Sequence, residues 1–263
     1  MTYEQIIFDV QDRVARITLN RPNAANSINL ELARELMDAA IRCDADPGIR
    51  SVLLTGAGDK MFSAGGDLKI FAAYGAEIAF ALKEITTYLH SAISHFSRMD
   101  APLIVAVNGV AAGAGMSLAV AGDMVLAAES AKFTMAYTAA ALSPDGSATY
   151  FVPRLIGLRR AQELMLTNRS LSAREAMEWG LVNNVIADSK LLSEAEVLAR
   201  SLADGPTLAL GAVKQLLNES FSGSLETQME LEARMIARMA KTHDSREGIS
   251  AFVEKRPPHF TGA

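Results

Sequence analysis

The fold is decided by the stretch APLIVAVNGVAAGAGMSLAVAGD, residues 101–123. It opens with an apolar run, 103–107, typical of a strand buried on both faces. A second apolar run, 116–121, has the length and alanine content of a buried helix. Residues 111–115 between them carry almost no side chains, so a ligand can approach the backbone, and free N–H groups at a helix start attract negative charge. These are the parts of an oxyanion hole, and equally those of a turn whose glycines serve only packing.

Strands and helices alternate along the chain before this stretch. Apolar runs predict buried strands at 14–19 and 51–55, and apolar residues at helical spacing predict helices at 30–43 and 78–96. The second strand leads into a glycine loop, 62–67, which also precedes a helix, so each loop can donate one N–H to the same oxygen. The order predicts an α/β fold with parallel strands and sites at their carboxyl ends.

Composition excludes several classes of protein. The net charge of -5 over 263 residues argues against a nucleic-acid binder, which normally has a basic face. A single cysteine, Cys43, excludes an internal disulfide and a multi-cysteine metal site, and four widely spaced histidines make a metal site unexpected. The longest apolar runs are shorter than the ~20 residues that span a bilayer. We therefore predict a globular, cytoplasmic protein.

The C-terminal part of the chain is predicted to be entirely helical. Apolar spacing places helices at 191–203, 207–220, 225–241 and 245–255. The predicted organisation is an α/β core over residues 1–190, followed by a C-terminal helical region over 191–263.

Five motifs, in order along the chain, resemble the crotonase superfamily, also called the enoyl-CoA hydratase/isomerase family. They are ITLNRP at 17–22, FSAGGDL at 62–68, VNG at 107–109 with the small-residue turn, LSA at 171–173 with WGLV at 179–182, and REG at 246–248 with FVEKR at 252–256. The resemblance implies a spiral of ββα units and C-terminal helices that join subunits into trimers or pairs of trimers. It also implies an acyl-CoA ligand, with CoA carried in the substrate and no separate cofactor.

The same resemblance assigns roles to individual residues. The backbone amides of Gly66 and Ala114 are expected to stabilise the thioester oxygen as an enolate forms. The expected substrate contacts are Ala64, Leu68, Lys69, His90, Tyr137 and Lys255. The two lysines would meet CoA phosphates, Lys255 from a neighbouring subunit, although a solvated surface amine is an equal alternative for both.

The chain departs from the hydratase pattern at its acids. Hydratases of this family place two glutamates around the substrate, where this sequence has Ser117 and Tyr137, so hydration in the two-glutamate way is not expected. One acid remains, Asp145, in a P-D-x-x-x-T loop similar to that of isomerases acting on ring epoxides of phenylacetyl-CoA. A competing role for Asp145 is to cap the helix that begins near Ser147.

The sequence therefore predicts an acyl-CoA isomerase with Asp145 as its single base, within fatty-acid or phenylacetate metabolism. A competing interpretation is an aryl-CoA dehalogenase in which Asp145 is the nucleophile. His90 favours the dehalogenase, whereas Tyr137 stands where the dehalogenases have tryptophan. The sequence also leaves open a hydratase-like protein with weak activity, a non-catalytic CoA-binding trimer and, against the acidic charge, an RNA-binding protein.

Overall fold

The computed structural model describes residues 3–263, and its strands and helices alternate as predicted. The strands are β1 (Ile6–Gln11), β2 (Val14–Leu19), β3 (Ser51–Gly56), β4 (Met61–Ser63), β5 (Leu103–Val107), β6 (Val110–Ala112), β7 (Met124–Ala128), β8 (Lys132–Thr134), β9 (Leu171–Ser172) and β10 (Asn184–Ile186). The helices are α1 (Leu30–Ala45), α2 (Leu68–Ala73), α3 (Ile78–Arg98), α4 (Ala114–Val120), α5 (Ala148–Ile156), α6 (Leu158–Thr167), α7 (Ala173–Trp179), α8 (Leu191–Ala203), α9 (Thr207–Glu219), α10 (Leu225–Met239) and α11 (His243–Glu254).

These strands form two sheets. The larger has the order β1-β2-β3-β5-β7-β10, and the smaller has the order β4-β6-β8-β9. Pairing is antiparallel between β1 and β2 and between β8 and β9, and parallel between all the other neighbours. The predicted α/β class with a parallel sheet centre is confirmed.

A repeated unit links the two sheets. A strand in the larger sheet is followed by a strand in the smaller sheet and then by a helix, in the series β3-β4-α2, β5-β6-α4 and β7-β8-α5. This is the ββα spiral that the resemblance implied. Because the unit repeats, the turns that enter α2, α4 and α5 occupy equivalent places in successive turns of the spiral.

Strand β5 lies at the middle of the larger sheet, as its apolar sequence predicts. All five of its residues are buried, and Val105 pairs with Leu54 of β3 on one side and Val125 of β7 on the other. Burying each of its leucine, isoleucine and valine side chains contributes about 1.5–3 kcal/mol. The prediction of a turn over 111–115 was partly wrong. Strand β6 runs through Ala112, and only Gly113, at φ 50°, separates β6 from α4.

Two long helices, α1 and α3, pack against each other beside the sheets. Asn29 caps α1 by accepting from the Leu32 N–H at 3.0 Å. The predicted stripe on α3, including Ile85, Leu89 and Phe96, is buried. Within residues 3–263, no helix has both the length and the apolar character needed to cross a membrane.

The four helices predicted after residue 190 are present as α8–α11. Helix α8 packs against β2, β3, β5 and β7, so it covers one face of the larger sheet. Lys214 fastens α9 to the core: its buried ammonium donates to the carbonyls of Phe96 (2.9 Å) and Ala101 (3.0 Å) and lies 2.8 Å from the Asp123 carboxylate. Nothing in the sequence pattern indicated this buried contact.

The last residues fold back onto α11 through one buried carboxylate. Asp244 Oδ1 accepts from the Thr261 N–H and Asp244 Oδ2 from the Gly262 N–H, both at 2.7 Å. Burial opposes ionisation of this group, but these donors prevail and lower the pKa of Asp244.

Candidate active site

The turns of the spiral converge on a cavity of about 290 Å³. Six of the nine residues proposed from the sequence line it: Ala64, Gly66, Leu68, Ala114, Tyr137 and Asp145. The rest of the wall is mostly apolar, with Phe71 from α2 and Ile85 and Leu89 from α3. The structure thus gathers residues from the turns before α2, α4 and α5 around one apolar space.

Two of these turns touch each other through their backbones. Gly65, at φ 86°, packs so closely on the next turn that an added Cβ would lie 2.6 Å from the Ala112 carbonyl oxygen and 3.0 Å from the Ala114 nitrogen. Among residues 3–263, neither the Gly66 amide nor the Ala114 amide donates to another protein group. Both residues line the cavity, so the two amides are available to an acceptor bound inside it.

A buried ion pair braces the first of these turns. Asp67 caps α2 by accepting from the Ile70 N–H at 3.3 Å, and its Oδ2 lies 3.0 Å from both Arg21 Nη1 and Ser27 Oγ. Burial tends to raise the pKa of Asp67, but the hydrogen bonds from Ile70, Ser27 and Arg21 outweigh it and lower that pKa. The sequence motifs contain Arg21 and Asp67, but their spacing gave no signal that the two meet.

Asp145 is the single carboxylate among the residues that line this cavity. Its Oδ1 accepts from the Tyr137 hydroxyl at 2.6 Å, and its side chain is 26% exposed. The competing role as a helix cap is wrong: α5 begins after Ser147 and has no side-chain cap hydrogen bond. The carboxylate therefore faces the cavity without a role in starting the helix.

A pair of hydroxyls occupies the two positions at which the resemblance would place the glutamates of a hydratase. Ser117, on the first turn of α4, is fully buried, and its Oγ lies 2.9 Å from the Tyr137 hydroxyl oxygen. Burial, followed by the negative charge of Asp145, raises the pKa of the Tyr137 phenol, so it stays protonated at neutral pH. Asp145 therefore remains as the group able to accept a proton.

His90 lies beside Asp145 but outside the small cavity. Its Nε2 accepts from the Gly146 N–H at 3.1 Å and lies 3.8 Å from Asp145 Oδ2. Its ring instead lines a larger cavity of about 870 Å³ between α3, α5 and the helices α9 and α10. His90 was expected to contact the substrate, but in this structure it lines the larger neighbouring cavity and not the small one.

The two lysines expected at CoA phosphates are both exposed and line neither cavity. Lys69 lies on α2, and Lys255 follows the end of α11. Another lysine, Lys83 on α3, does line the small cavity. The sequence analysis missed it, because an exposed lysine on an amphipathic helix gives no signal of its own. Within residues 3–263, no three His, Cys, Asp or Glu side chains are grouped so as to hold a metal ion.

Comparisons with known proteins point to a single family. The family model described as enoyl-CoA hydratase/isomerase matches residues 9–263. The chain is 41% identical to the 1,2-epoxyphenylacetyl-CoA isomerase of Escherichia coli K12, covering 98% of this chain and 99% of that one. It is 33% identical to the crotonyl-CoA hydratase of Syntrophomonas wolfei, covering 99% of each.

A solved structure shows the same fold. The enoyl-CoA hydratase from Bacillus anthracis superposes with a TM-score of 0.93 at 34% identity, covering 99% of this chain and 100% of that one. Motifs, spiral and relatives thus agree over nearly the whole chain, and the protein belongs to the enoyl-CoA hydratase/isomerase family.

Proposed function

We propose that this enzyme is an acyl-CoA isomerase that shifts a double bond, or isomerises a ring epoxide, through a CoA enolate. The observation that carries the proposal is the position of Asp145, the single carboxylate on the wall of a cavity to which Gly66 and Ala114 also contribute. The 41% identity to an epoxyphenylacetyl-CoA isomerase supports the ring-epoxide branch and a place in phenylacetate catabolism. A cytoplasmic location stays a sequence-based prediction.

In the proposed double-bond shift, Asp145 takes the proton from the α carbon of a 3-enoyl thioester. The electron pair of that C–H bond forms a dienolate, whose oxygen accepts hydrogen bonds from the amides of Gly66 and Ala114. Asp145 then returns the proton to the γ carbon, which leaves a 2-enoyl thioester and a carboxylate ready for the next cycle. One base serves both steps, so the reaction needs no second carboxylate.

Binding of the CoA part and assembly complete the proposal. The backbone of Ala64 and Leu68 borders the CoA chain, and Lys69, with Lys255 from a neighbouring subunit, meets its phosphates. The C-terminal helices join subunits into trimers or pairs of trimers. Ser117 and Tyr137 cannot replace the two glutamates of a hydratase, so we expect hydration of crotonyl-CoA to be weak or absent.

The substitution Asp145→Asn tests the base directly. Asparagine keeps the size of the side chain but cannot accept a proton from carbon, so isomerisation of 3-enoyl thioesters should fall about 10²–10⁴-fold. Affinity for a non-reactive acyl-CoA, measured by calorimetry, should change little because the backbone amides remain. Asp59→Asn, the same change at an exposed loop residue, is the matched control and should be fully active. Retained turnover in the Asp145 variant would remove this residue from the mechanism.

A second candidate is the aryl-CoA dehalogenase, which the 3.8 Å approach of His90 Nε2 to Asp145 Oδ2 favours. In that reaction the carboxylate attacks the ring carbon that carries the halogen, the halide leaves, and water hydrolyses the resulting ester. Incubation with a halogenated benzoyl-CoA and intact mass measurement would reveal the aryl ester on Asp145. We expect no such adduct.

A further inference from the structure

A chain of hydrogen bonds runs from α4 to the proposed base. Ser117 Oγ lies 2.9 Å from the Tyr137 hydroxyl oxygen, which lies 2.6 Å from Asp145 Oδ1. The glycine after Asp145 packs on the same serine, since a Cβ added at Gly146 would lie 3.0 Å from Ser117 Cβ. The loop that carries Asp145 is thus held against α4 at the cavity wall.

The direction of each hydrogen bond follows from the groups involved. The phenol of Tyr137 keeps its proton, because burial and the adjacent carboxylate both raise its pKa. An ionised carboxylate only accepts, so Tyr137 donates to Oδ1. The contact between Ser117 and Tyr137 must then use the serine proton. The Gly113 carbonyl oxygen, 3.2 Å from Ser117 Oγ, is a second acceptor that the same serine proton can reach.

The second carboxylate oxygen is in a different situation. His90 Nε2 lies 3.8 Å from Oδ2, beyond hydrogen-bond distance, and accepts instead from the Gly146 N–H at 3.1 Å. The other titratable group on this side of the cavity is Lys83, also from α3. Among residues 3–263, no group donates to Oδ2, which leaves its lone pairs free.

We propose that Tyr137 is a positioning residue that holds the Asp145 carboxylate through Oδ1 and leaves Oδ2 as the atom that takes and returns the substrate proton. The inference rests on the proposed function, since it assumes that Asp145 is the base. The hydrogen bond from the phenol fixes Oδ1, so the carboxylate is held in one orientation at the cavity wall.

The substitution Tyr137→Phe tests this role. It removes one hydrogen bond to a charged group, so kcat should fall about 10–100-fold with KM little changed. When it is added to Asp145→Asn, the same substitution should cause no further loss, because the carboxylate that the phenol holds is already gone. Ser117→Ala should lower kcat by a smaller factor than Tyr137→Phe, again with KM little changed.

Tyr150→Phe is the matched control. Its hydroxyl reaches the Asn218 carbonyl, at 3.4 Å, and does not contact Asp145. This variant should keep the kcat of the parent. If the Tyr137 variant does not fold, the kcat of Ser117→Ala carries the test, and a kcat equal to that of the parent overturns the inference.

Three results distinguish failure of this inference from failure of the proposed function. If Asp145→Asn is inactive while Tyr137→Phe keeps the parental kcat, only the positioning role is wrong. A further loss when Tyr137→Phe is added to Asp145→Asn also overturns it, because the phenol would then act on substrate itself. If Asp145→Asn keeps its activity, the proposed function fails.

Discussion

At the scale of residues, the site combines two kinds of group with different origins. Gly66 and Ala114 contribute backbone amides, whose positions are fixed by the spiral and by the packing of Gly65 on the next turn. Asp145 contributes a side chain, whose orientation depends on contacts with Tyr137. The positions of the two amide donors are therefore fixed by the backbone fold, whereas the orientation of the Asp145 carboxylate depends on a few neighbouring side chains.

The amide of Ala114 can be removed with little change to the helix. Ala114 is the first residue of α4, a position where proline is well tolerated. Ala114→Pro should lower kcat for isomerisation about 10²–10³-fold, because one of two donors to the enolate oxygen is lost. Circular dichroism and the melting temperature should stay close to those of the parent. A folded variant with parental kcat would show that this amide does not stabilise the enolate.

The sequence predicted part of this site because the family motifs are short and local. The resemblance assigned roles to Gly66, Ala114 and Asp145, and all three line the cavity. The contact between Tyr137 and Asp145 was not predicted, since both residues lie in irregular segments whose path no periodicity defines. The pairing of Arg21 with Asp67 was missed because it joins positions far apart in the chain.

At the scale of elements, long segments were predicted well and short ones were not. Helix α3 and strand β5 have enough residues to show a period or an apolar run. Strands β4, β6 and β8 have three residues each, too few for either pattern. They exist because the turns of the spiral align them, which is a property of the assembled fold.

The segment that folds back on α11 has a pH-dependent anchor. The pKa of Asp244 is lower in the folded protein than in the unfolded chain, so its contribution to stability is present above the unfolded value and lost as the pH falls below it. Asp244→Asn should lower the free energy of unfolding by about 1–3 kcal/mol at neutral pH. The amide NH₂ of asparagine replaces one carboxylate oxygen, so a donor would then face a backbone N–H that needs an acceptor.

Urea unfolding of the parent and the Asp244 variant at neutral pH and at about pH 3 measures this contribution. The difference between the two proteins should shrink at the lower pH, which lies below the ordinary value of 3.8 at which the carboxylate of the unfolded chain takes up a proton. A difference that stays constant, or grows, would mean that the carboxylate charge is not what anchors the segment.

At the scale of the whole molecule, the C-terminal helices expose large apolar side chains. Ile236 on α10 is 72% exposed, and Phe252 and Val253 on α11 are 86% and 75% exposed. Large apolar side chains exposed on these helices are typical of surfaces that bind another protein. They support the proposed assembly of trimers through this region.

Light scattering tests the assembly. We expect a mass three or six times that of the 28.1 kDa chain at micromolar concentration. Phe252→Glu places a charge on the exposed apolar surface of α11 and should weaken the assembly, whereas Lys69→Glu on α2 should leave it intact. A monomer across the micromolar range would contradict the proposal.

The contact made by Lys214 has a consequence for synthesis of the protein. Lys214 is synthesised well after the groups that it contacts. Until then, the carbonyls of Phe96 and Ala101 and the carboxylate of Asp123 lack the ammonium that binds them in the finished fold. Helix α8, which covers the larger sheet, also emerges late. The nascent chain thus has an uncovered apolar sheet beside an uncompensated acid until α9 is translated. The larger sheet therefore acquires its final cover and its buried ion pair only after the chain has been made through α9.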